Sequence, residues 1–566
     1  MARDAKSPFG TFRLLFTESV LVYGLFHVPM AVLLALGMWT SLSWMTICDG
    51  PIFMYSGFLM DRFGMVPVRD FFTYNLIGTH VMFRWLYHIF GGSVMGIRIA
   101  DATVMLLTMI LMVRMLAPFG RRAGLAAALM LGLLQYFYYE HASLEREYLA
   151  MVPIALAVLS TTIWFAGRPR LRMFMTGLFC GVLVTLKPHL AICGAALYGY
   201  LLFDRDASDE ARSTKWFSRA LHVALWCSLG GIIPILWMIA YCVYYGILGE
   251  YMRTMTVFFP LHADINLWNR VFEPGERWPY LIKMVLSWRP WGNFLLATGT
   301  IAGVSLLILS PTTTPKERRL GYLYLGLLGA YMLYPAFSLR FYDYHYYPFW
   351  LFSCVWMGLC LKKWPEATPL RYRVFSLVLA AYVVGGLFYT NVSEIKETPL
   401  ELVNPAARTK RMTTWLAKRL KPGDTIQPIE WGFCGTIHAA LETEAKVATR
   451  IVWGEGLFHH VSNPFVVDLR KGFVEELETA KPRFILRSEM DVEFIKGRDC
   501  SSNFPELDAF LRREYFLALE SKDFSIWESN ESPTAEEDRA RRKVEIETQR
   551  SEGIGEENLP SIRIAR

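Results

Sequence analysis

Long apolar runs follow one another through most of this chain. When they are threaded through a bilayer, every dense Lys/Arg cluster between them falls on the same side. The clusters are Arg3/Lys6/Arg13, Arg114/Arg121/Arg122, Arg168/Arg170/Arg172, Arg205/Arg212/Lys215/Arg219, Lys316/Arg318/Arg319 and Lys362/Lys363/Arg371/Arg373. Cationic loops are retained on the cytoplasmic face, so this bias fixes topology and leaves the loops rich in Asp, Glu, His, Tyr and Trp on the opposite side. A soluble fold is excluded. Of 566 residues 53% are hydrophobic and 19% charged, against a charged share of about a quarter in soluble domains. The net charge of +7 is no nucleic-acid signal, because the excess sits in the short orienting loops and no basic face interleaved with aromatics is present.

The run from Val20 to Ile47 is too long for a signal-peptide core and lacks a small-residue cleavage pattern, so it reads as an uncleaved first span. With about 20 residues per crossing, spans fall near 20–47, 94–116, 123–139, 148–166, 172–187, 189–204, 220–245, 292–310, 320–337, 346–361 and 374–390, about eleven in all. The N-terminus is then cytoplasmic and the C-terminal part extracytoplasmic. In the stretch 79–90, His80, Arg84 and His88 recur on one face with Trp85, Leu86 and Ile89 opposite, the pattern of an amphipathic helix lying in the interface. Counting it as a span would turn every later basic cluster outward. Outer loops are 48–93, 140–147, 187–189, 246–291 and 338–345.

The expected fold class is a polytopic α-helical membrane protein with a C-terminal extracytoplasmic α/β domain over 396–528. Within it Asn404 and Pro405 read as the start of a helix to about Leu420. DTIQPIEW, KVATRIVW, RFILRS and FSIWES read as strands, and 467–480 and 505–514 as helices. Residues 529–566 are charged and read as a disordered or loosely helical tail. Cys434 and Cys500 fall in this outer part, which leaves one disulfide between them open. There is no internal repeat.

The chemistry gathers in the outer loops. Asp49-Gly50-Pro51 follows the first span directly, and a carboxylate half-shielded at the mouth of a helix bundle has a raised pKa and suits a general base toward a hydroxyl. The alternative is a helix-capping Asp49, with Arg69 and Asp70 as a local ion pair. Glu140, His141, Glu145, Arg146 and Glu147 crowd a very short loop, a density that calls for pairing, a bound cation or a wet cavity. His141 and Glu145, four apart, share a helix face and suit a metal or an acid/base pair; equally, Glu145 and Glu147 pair with Arg146 and Arg69. Lys187-Pro188-His189 ends the fifth span, and Arg340, Tyr342, Asp343, Tyr344 and His345 precede the tenth. Lys187, His189, Arg340 and His345 together suit a phosphate, whereas snorkelling and an aromatic belt account for Lys187 and the tyrosines otherwise.

Taken together, Asp49-Gly-Pro…Gly64-x-x-Pro67-x-Arg69-Asp70-Phe, then Phe90-Gly91-Gly-Ser93…Ile97-Arg98-Ile99, Glu145-Arg146-Glu147, Leu186-Lys187-Pro188-His189 and Tyr344-His345-Tyr-Tyr-Pro348 resemble the GT-C superfamily of polyprenyl-phosphate-dependent glycosyltransferases over about residues 1–390. Bacterial aminoarabinose and protein O-mannosyl transferases are the nearest in pattern. The resemblance implies a GT-C-like transmembrane domain in the bacterial inner membrane and a sugar carried on a polyprenyl phosphate. It also implies inverting transfer at the outer face to a lipid-linked or cell-envelope glycan. It matches the family's first-loop acid to Asp49, its second-loop acid to Glu145 or Glu147, and its lysine after span five to Lys187. Arg69, Asp70, His80 and His141 are left for the acceptor or for support, and a divalent cation stays open as a cofactor. Protein O-mannosyltransferases carry Asp-Glu where this chain has Asp49-Gly50, which argues against a protein acceptor. No Gly-rich loop after a strand marks a nucleotide-sugar site in the membrane part. Two rivals remain: a polymerase or ligase of pyrophosphate-linked oligosaccharides, and a transporter, the latter disfavoured because the ionisable residues sit at the outer edge and not at mid-membrane.

Overall fold

The computed structural model describes residues 20, 22–46, 49–138, 143–204, 216–287, 294–396, 400–430, 434–489, 495 and 497–551. Among them six helices are long and apolar enough to cross a membrane: Tyr23–Ser41, Val94–Met115, Arg146–Trp164, Pro169–Leu186, Trp216–Tyr244 and Pro315–Ser338. The other five expected spans are helical too, at Arg121–Tyr138, Pro188–Phe203, Phe294–Leu309, Tyr347–Leu361 and Leu370–Lys396. Local signals set several of these starts. Ser93 caps its helix by accepting from Gly96 N, and Thr314 and Glu317 form a reciprocal capping box ahead of Pro315–Ser338.

The basic clusters do collect at one end of the bundle. Arg172 pairs with Asp204 at 2.7 Å, Arg319 approaches the same carboxylate at 3.9 Å, and Arg219 donates to the Asp204 carbonyl. Nearby helices contribute Lys362, bonded to Glu317 and lying 5.7 Å over the Phe119 ring. Arg3, Lys6, Arg13, Arg205, Arg212 and Lys215 lie outside the described residues.

The stretch 79–90 forms a helix, Ile77–Phe90, but its polar residues do not share an environment. Arg84 and His88 are exposed beside Asp61, at 3.5 and 3.2 Å, whereas His80 is buried and turned inward. Four-residue spacing alone could not show that a buried Ser56 and Thr73 wait for His80.

Beyond the bundle lies a five-stranded sheet in the order β2-β1-β3-β5-β4, with β1 Thr425–Ile429, β2 Lys446–Val447, β3 Phe484–Ser488, β4 Tyr515–Glu520 and β5 Phe524–Ser529. β1 runs parallel to β2 and β3, and β5 is antiparallel to both β3 and β4. β4 has no counterpart among the expected strands. The preceding helix spans Leu400–Ala417, so Asn404-Pro405 lies inside it and does not open it. The tail holds a helix, Ala535–Ser551, docked through a two-bond Arg419–Asp538 pair at 2.9 and 2.7 Å. Cys434 and Cys500 are both free thiols.

The sheet is not a remote appendage. One hydrophobic cluster runs from Val22 in the first span to Phe484 and Ile526 in the sheet. Tyr55 OH donates to the Ala445 carbonyl at 2.7 Å, and Phe72 N to the Arg450 carbonyl at 2.6 Å, so the first loop is clamped beneath the C-terminal layer.

Within the bundle, Pro169–Leu186 and Trp216–Tyr244 cross on glycines. A Cβ on Gly177 meets the Cys227 carbonyl at 1.9 Å, and one on Gly230 meets the Phe174 carbonyl at 1.9 Å. Backbones this close need small residues, as in membrane helix pairs generally. Gly177→Ala is expected to cost about 1–3 kcal/mol through overpacking. Gly329→Ala, with open space around its Cβ position, serves as the neutral control in thermal unfolding of the detergent-solubilised protein.

Candidate active site

At the end of the bundle opposite the basic clusters, three loops bring their charged residues together. Asp49 occupies the first turn of the helix Asp49–Phe63, where helix dipole and backbone amides favour an anion. Gly50 lets this turn approach the second loop: a Cβ there would stand 3.0 Å from the Ser143 carbonyl. Glu145 precedes the helix that opens with Arg146 and Glu147, and Leu144 before it is held at φ +58. Leu339, just ahead of Arg340, is likewise left-handed at φ +55. Bulky residues held there mark local strain, which concentrates at functional sites. Lys187 ends the helix Pro169–Leu186 in an extended conformation, as expected before a proline.

These residues interlock. Lys187 Nζ donates to Glu147 Oε1 at 2.6 Å and to His345 Nε2 at 3.2 Å, and Tyr334 OH donates to the same Glu147 oxygen at 2.7 Å. His345 Nδ1 faces the Arg340 carbonyl, so the proton sits on Nδ1 and Nε2 accepts from the lysine. Burial first, then the Lys187 charge, pushes His345 down to about 3, and the ring is neutral. Burial also lowers Lys187, opposed by Glu147.

Next to this group Arg146 Nη2 reaches Asp49 Oδ2 at 3.4 Å and Arg146 Nη1 reaches Asn75 Oδ1 at 2.5 Å. Its guanidinium also lies 5.1 Å over the Phe53 ring. The backbone N–H of Asp49 donates to Glu145 Oε1 at 2.9 Å. Asp49 has a raised pKa: burial is the main cause, Arg146 opposes it, and Glu455 and Glu147 add to it. Glu145 is raised too, by burial first and then by the Asp49 and Glu147 charges, with Arg146 opposing, and it buttresses Asp49 through that bond.

A third group completes the site. Arg340 Nη2 donates to Glu455 Oε1 at 3.2 Å and to the His262 carbonyl at 3.1 Å, Tyr74 OH donates to Glu455 Oε2 at 2.7 Å, and His262 Nδ1 lies 3.4 Å from that oxygen. Burial alone would raise Glu455, but His262 and Arg340 outweigh it and hold the carboxyl at about 2.

Several sequence expectations land elsewhere. Arg340 pairs with Glu455 and not with the Lys187 group. Arg69 and Asp70 pair with each other at 2.8 Å on the surface, so neither Glu145 nor Glu147 takes Arg69. His80 supports the site at a distance: it bonds Thr73 Oγ1, which accepts from the N–H of Asn75, the partner of Arg146. His189 stacks 6.2 Å from Phe337 with Nδ1 buried and unbonded, next to Lys187 but not joined to it. His141 lies outside the described residues. Among the described residues no group of three His, Cys, Asp or Glu side chains is placed to hold a metal ion. Tyr74, Asn75, His262, Tyr334 and Glu455 were not foreseen. The only signal for Glu455 was an acid flanked by Gly454 and Gly456 in an apolar stretch.

The family profile described as dolichyl-phosphate-mannose-protein mannosyltransferase matches residues 78–237. The structure is similar to that of ArnT from Cupriavidus metallidurans bound to undecaprenyl phosphate, at 13% identity and a TM-score of 0.56, over 88% of this chain and 97% of that one. It is also similar to ArnT from the same organism in the apo state, at 13% identity and a TM-score of 0.54 over the same shares. No curated protein sequence matches the chain. The GT-C resemblance read in the sequence therefore holds for the fold, and it extends past residue 390, where the motifs end.

Glu147 carries no exposed side-chain surface and Lys187 keeps 13%. Removing the amine by Lys187→Ala strands a buried carboxylate and is expected to destabilise by about 3–5 kcal/mol. The paired change Glu147→Gln with Lys187→Met is expected to recover most of that loss, read as the melting temperature of the protein without substrate.

Proposed function

We propose that this chain is a membrane glycosyltransferase that moves a sugar from a polyprenyl-phosphate donor to a lipid-linked or cell-envelope glycan, with inversion and with Asp49 as general base. The observation that carries the reading is the adjacency of a half-buried carboxylate of raised pKa, Asp49, to the Lys187–Glu147–His345 group. The fold is shared with ArnT, which has been seen with undecaprenyl phosphate. The gathering of basic clusters at the far end supports a cytoplasmic N-terminus and an extracytoplasmic site in the bacterial inner membrane.

In the reaction an acceptor hydroxyl oxygen forms a bond to the anomeric carbon. The bond from that carbon to the phosphate oxygen breaks, its electrons leave with the polyprenyl phosphate, and the hydroxyl proton passes to Asp49. Lys187 has three N–H donors and spends two on Glu147 and His345, so the third is directed to the phosphate. Arg146 offers its unbonded Nε to the same developing charge.

Asp49→Asn keeps the shape and loses the base, and turnover with a polyprenyl-phosphate sugar donor is expected to fall about 10²–10⁴-fold. Undiminished turnover removes Asp49 from the role. The pH profile follows from the sign of the shift. Asp49 must be ionised to accept a proton, and its pKa is raised, so kcat/KM declines on the acid side at a pH above the ordinary carboxylate value of about 4. That limb is absent from the residual activity of Asp49→Asn.

A further inference from the structure

The Tyr74–Glu455–Arg340–His262 group lies beside the proposed chemistry yet has no part in it. Glu455 is brought in by the C-terminal layer, in the short helical turn Gly454–Leu457 just past β2, and the backbone tie from Gly454 N to the Glu430 carbonyl at 3.0 Å anchors that turn at the end of β1. Its carboxylate is 2% exposed, while Arg340 and His262 keep 11% and 15% of their side-chain surface. Arg340 Nε is buried without a hydrogen-bond partner. Tyr74 is buried against Trp453, at 5.5 Å and 27°, and against the His262 ring, at 4.1 Å, while Trp453 itself is half-buried.

We infer that Glu455, with Arg340 and Trp453, is the sugar-recognising end of the acceptor site and determines acceptor specificity. The inference rests on the glycosyltransferase reading. Lys187 and Arg340 have separate side-chain partners, Glu147 and His345 on one side and Glu455 on the other, and Asp49 interacts electrostatically with both groups. Inverting displacement sets the acceptor oxygen opposite the leaving phosphate. With the phosphate at Lys187 and the base at Asp49, the acceptor comes from the Glu455 side.

The chemistry of that side agrees. Arg340 is tied through Nη2 to Glu455 at 3.2 Å and to the His262 carbonyl at 3.1 Å, and its buried Nε has no partner. A carboxylate and a guanidinium side by side are complementary acceptor and donor for neighbouring hydroxyls, and Trp453, half-buried where Tyr74 is buried, keeps indole surface for the apolar side of a pyranose ring. The ligand class is thus a hydroxyl-bearing sugar at the end of a glycan or glycolipid. A site built around such polar groups discriminates strongly, because a sugar lacking the matching hydroxyl leaves them unpaired.

The test uses the full-length protein with two probes: undecaprenyl-phosphate-linked sugars as donor, and envelope glycolipid extracted from cells lacking the protein as acceptor. Glu455→Gln is expected to raise the acceptor concentration for half-maximal transfer by about tenfold, from the loss of charged hydrogen bonds, and to leave donor half-saturation within about twofold. The paired change Glu147→Gln with Lys187→Met, which keeps most of the stability that Lys187→Ala loses, is expected to show the reverse order. Tyr74→Phe, which keeps the ring and loses one bond to Glu455, is the milder second variant and is expected to shift the acceptor value by about threefold, with its melting temperature retained. A Glu455→Gln enzyme whose donor value moves instead, or whose two values both stay put, overturns the inference. So does a fall in transfer matched by a collapse in melting temperature with Tyr74→Phe silent. If wild type transfers nothing and Asp49→Asn is indistinguishable from it, the glycosyltransferase reading itself fails, and this one with it.

Discussion

The buried Glu147–Lys187 pair holds the functional end of this molecule together. A carboxylate with no exposed side-chain surface at the mouth of a membrane bundle is costly unless its charge is met. Lys187 meets it from the end of one span, Tyr334 from inside another, and His345 stands 3.5 Å away on a short turn. Three separate parts of the chain are thus held at one point. Lys187 can serve because a proline follows it: Pro188 stops the helix there and leaves the lysine extended at a helix C-terminus, where a cation is favoured.

The rest of the site is built outward from that point by the same rule. Arg146, next in sequence to Glu147, turns to Asp49 and Asn75, and Asn75 is held through Thr73 by His80, which is buried as a neutral ring at about 3. Arg340, five residues before His345, turns the opposite way to Glu455. Three cations, Arg146, Lys187 and Arg340, therefore face three carboxylates, Asp49, Glu147 and Glu455, each pair drawing one more segment inward. The last pair joins the Tyr55–Ala445 and Phe72–Arg450 bonds in holding the C-terminal layer against the bundle, alongside the apolar core that continues into the sheet.

How much of this a reader of the sequence could see depended on distance along the chain. Asp49, Glu147, Lys187 and His345 stand next to span ends, where a charge is conspicuous against apolar neighbours. The helices themselves were legible from run length, although length and apolarity together single out only six of the eleven. Partners from remote segments were invisible. Arg340 looked like a phosphate ligand because nothing near it in sequence reveals Glu455, and Glu455 sits in a stretch with no periodic pattern. Glu145 and Glu147 look equivalent two residues apart, yet Glu147 meets the Lys187 amine, whereas Glu145 accepts from a backbone N–H and is raised by burial and by the Asp49 and Glu147 charges. β4 was missed because its strand, YFLALE, follows directly on the helix Pro505–Glu514 with no turn residue between them.

The balance of charge also bears on how the proposed reaction lowers its barrier. A site already neutral pair by pair gains little from binding a phosphate in the ground state, since each cation is occupied. As the acceptor proton moves to Asp49, that carboxylate loses its charge, and Arg146, held to it at only 3.4 Å, is released toward the oxygen on which negative charge is then growing. The attraction to the leaving phosphate is therefore weaker before the proton moves than after, which is the condition for stabilising a transition state more than its substrate. Glu145 fits this account: by accepting from the Asp49 N–H it holds the first turn of that helix, and with it the Asp49 carboxylate, in place.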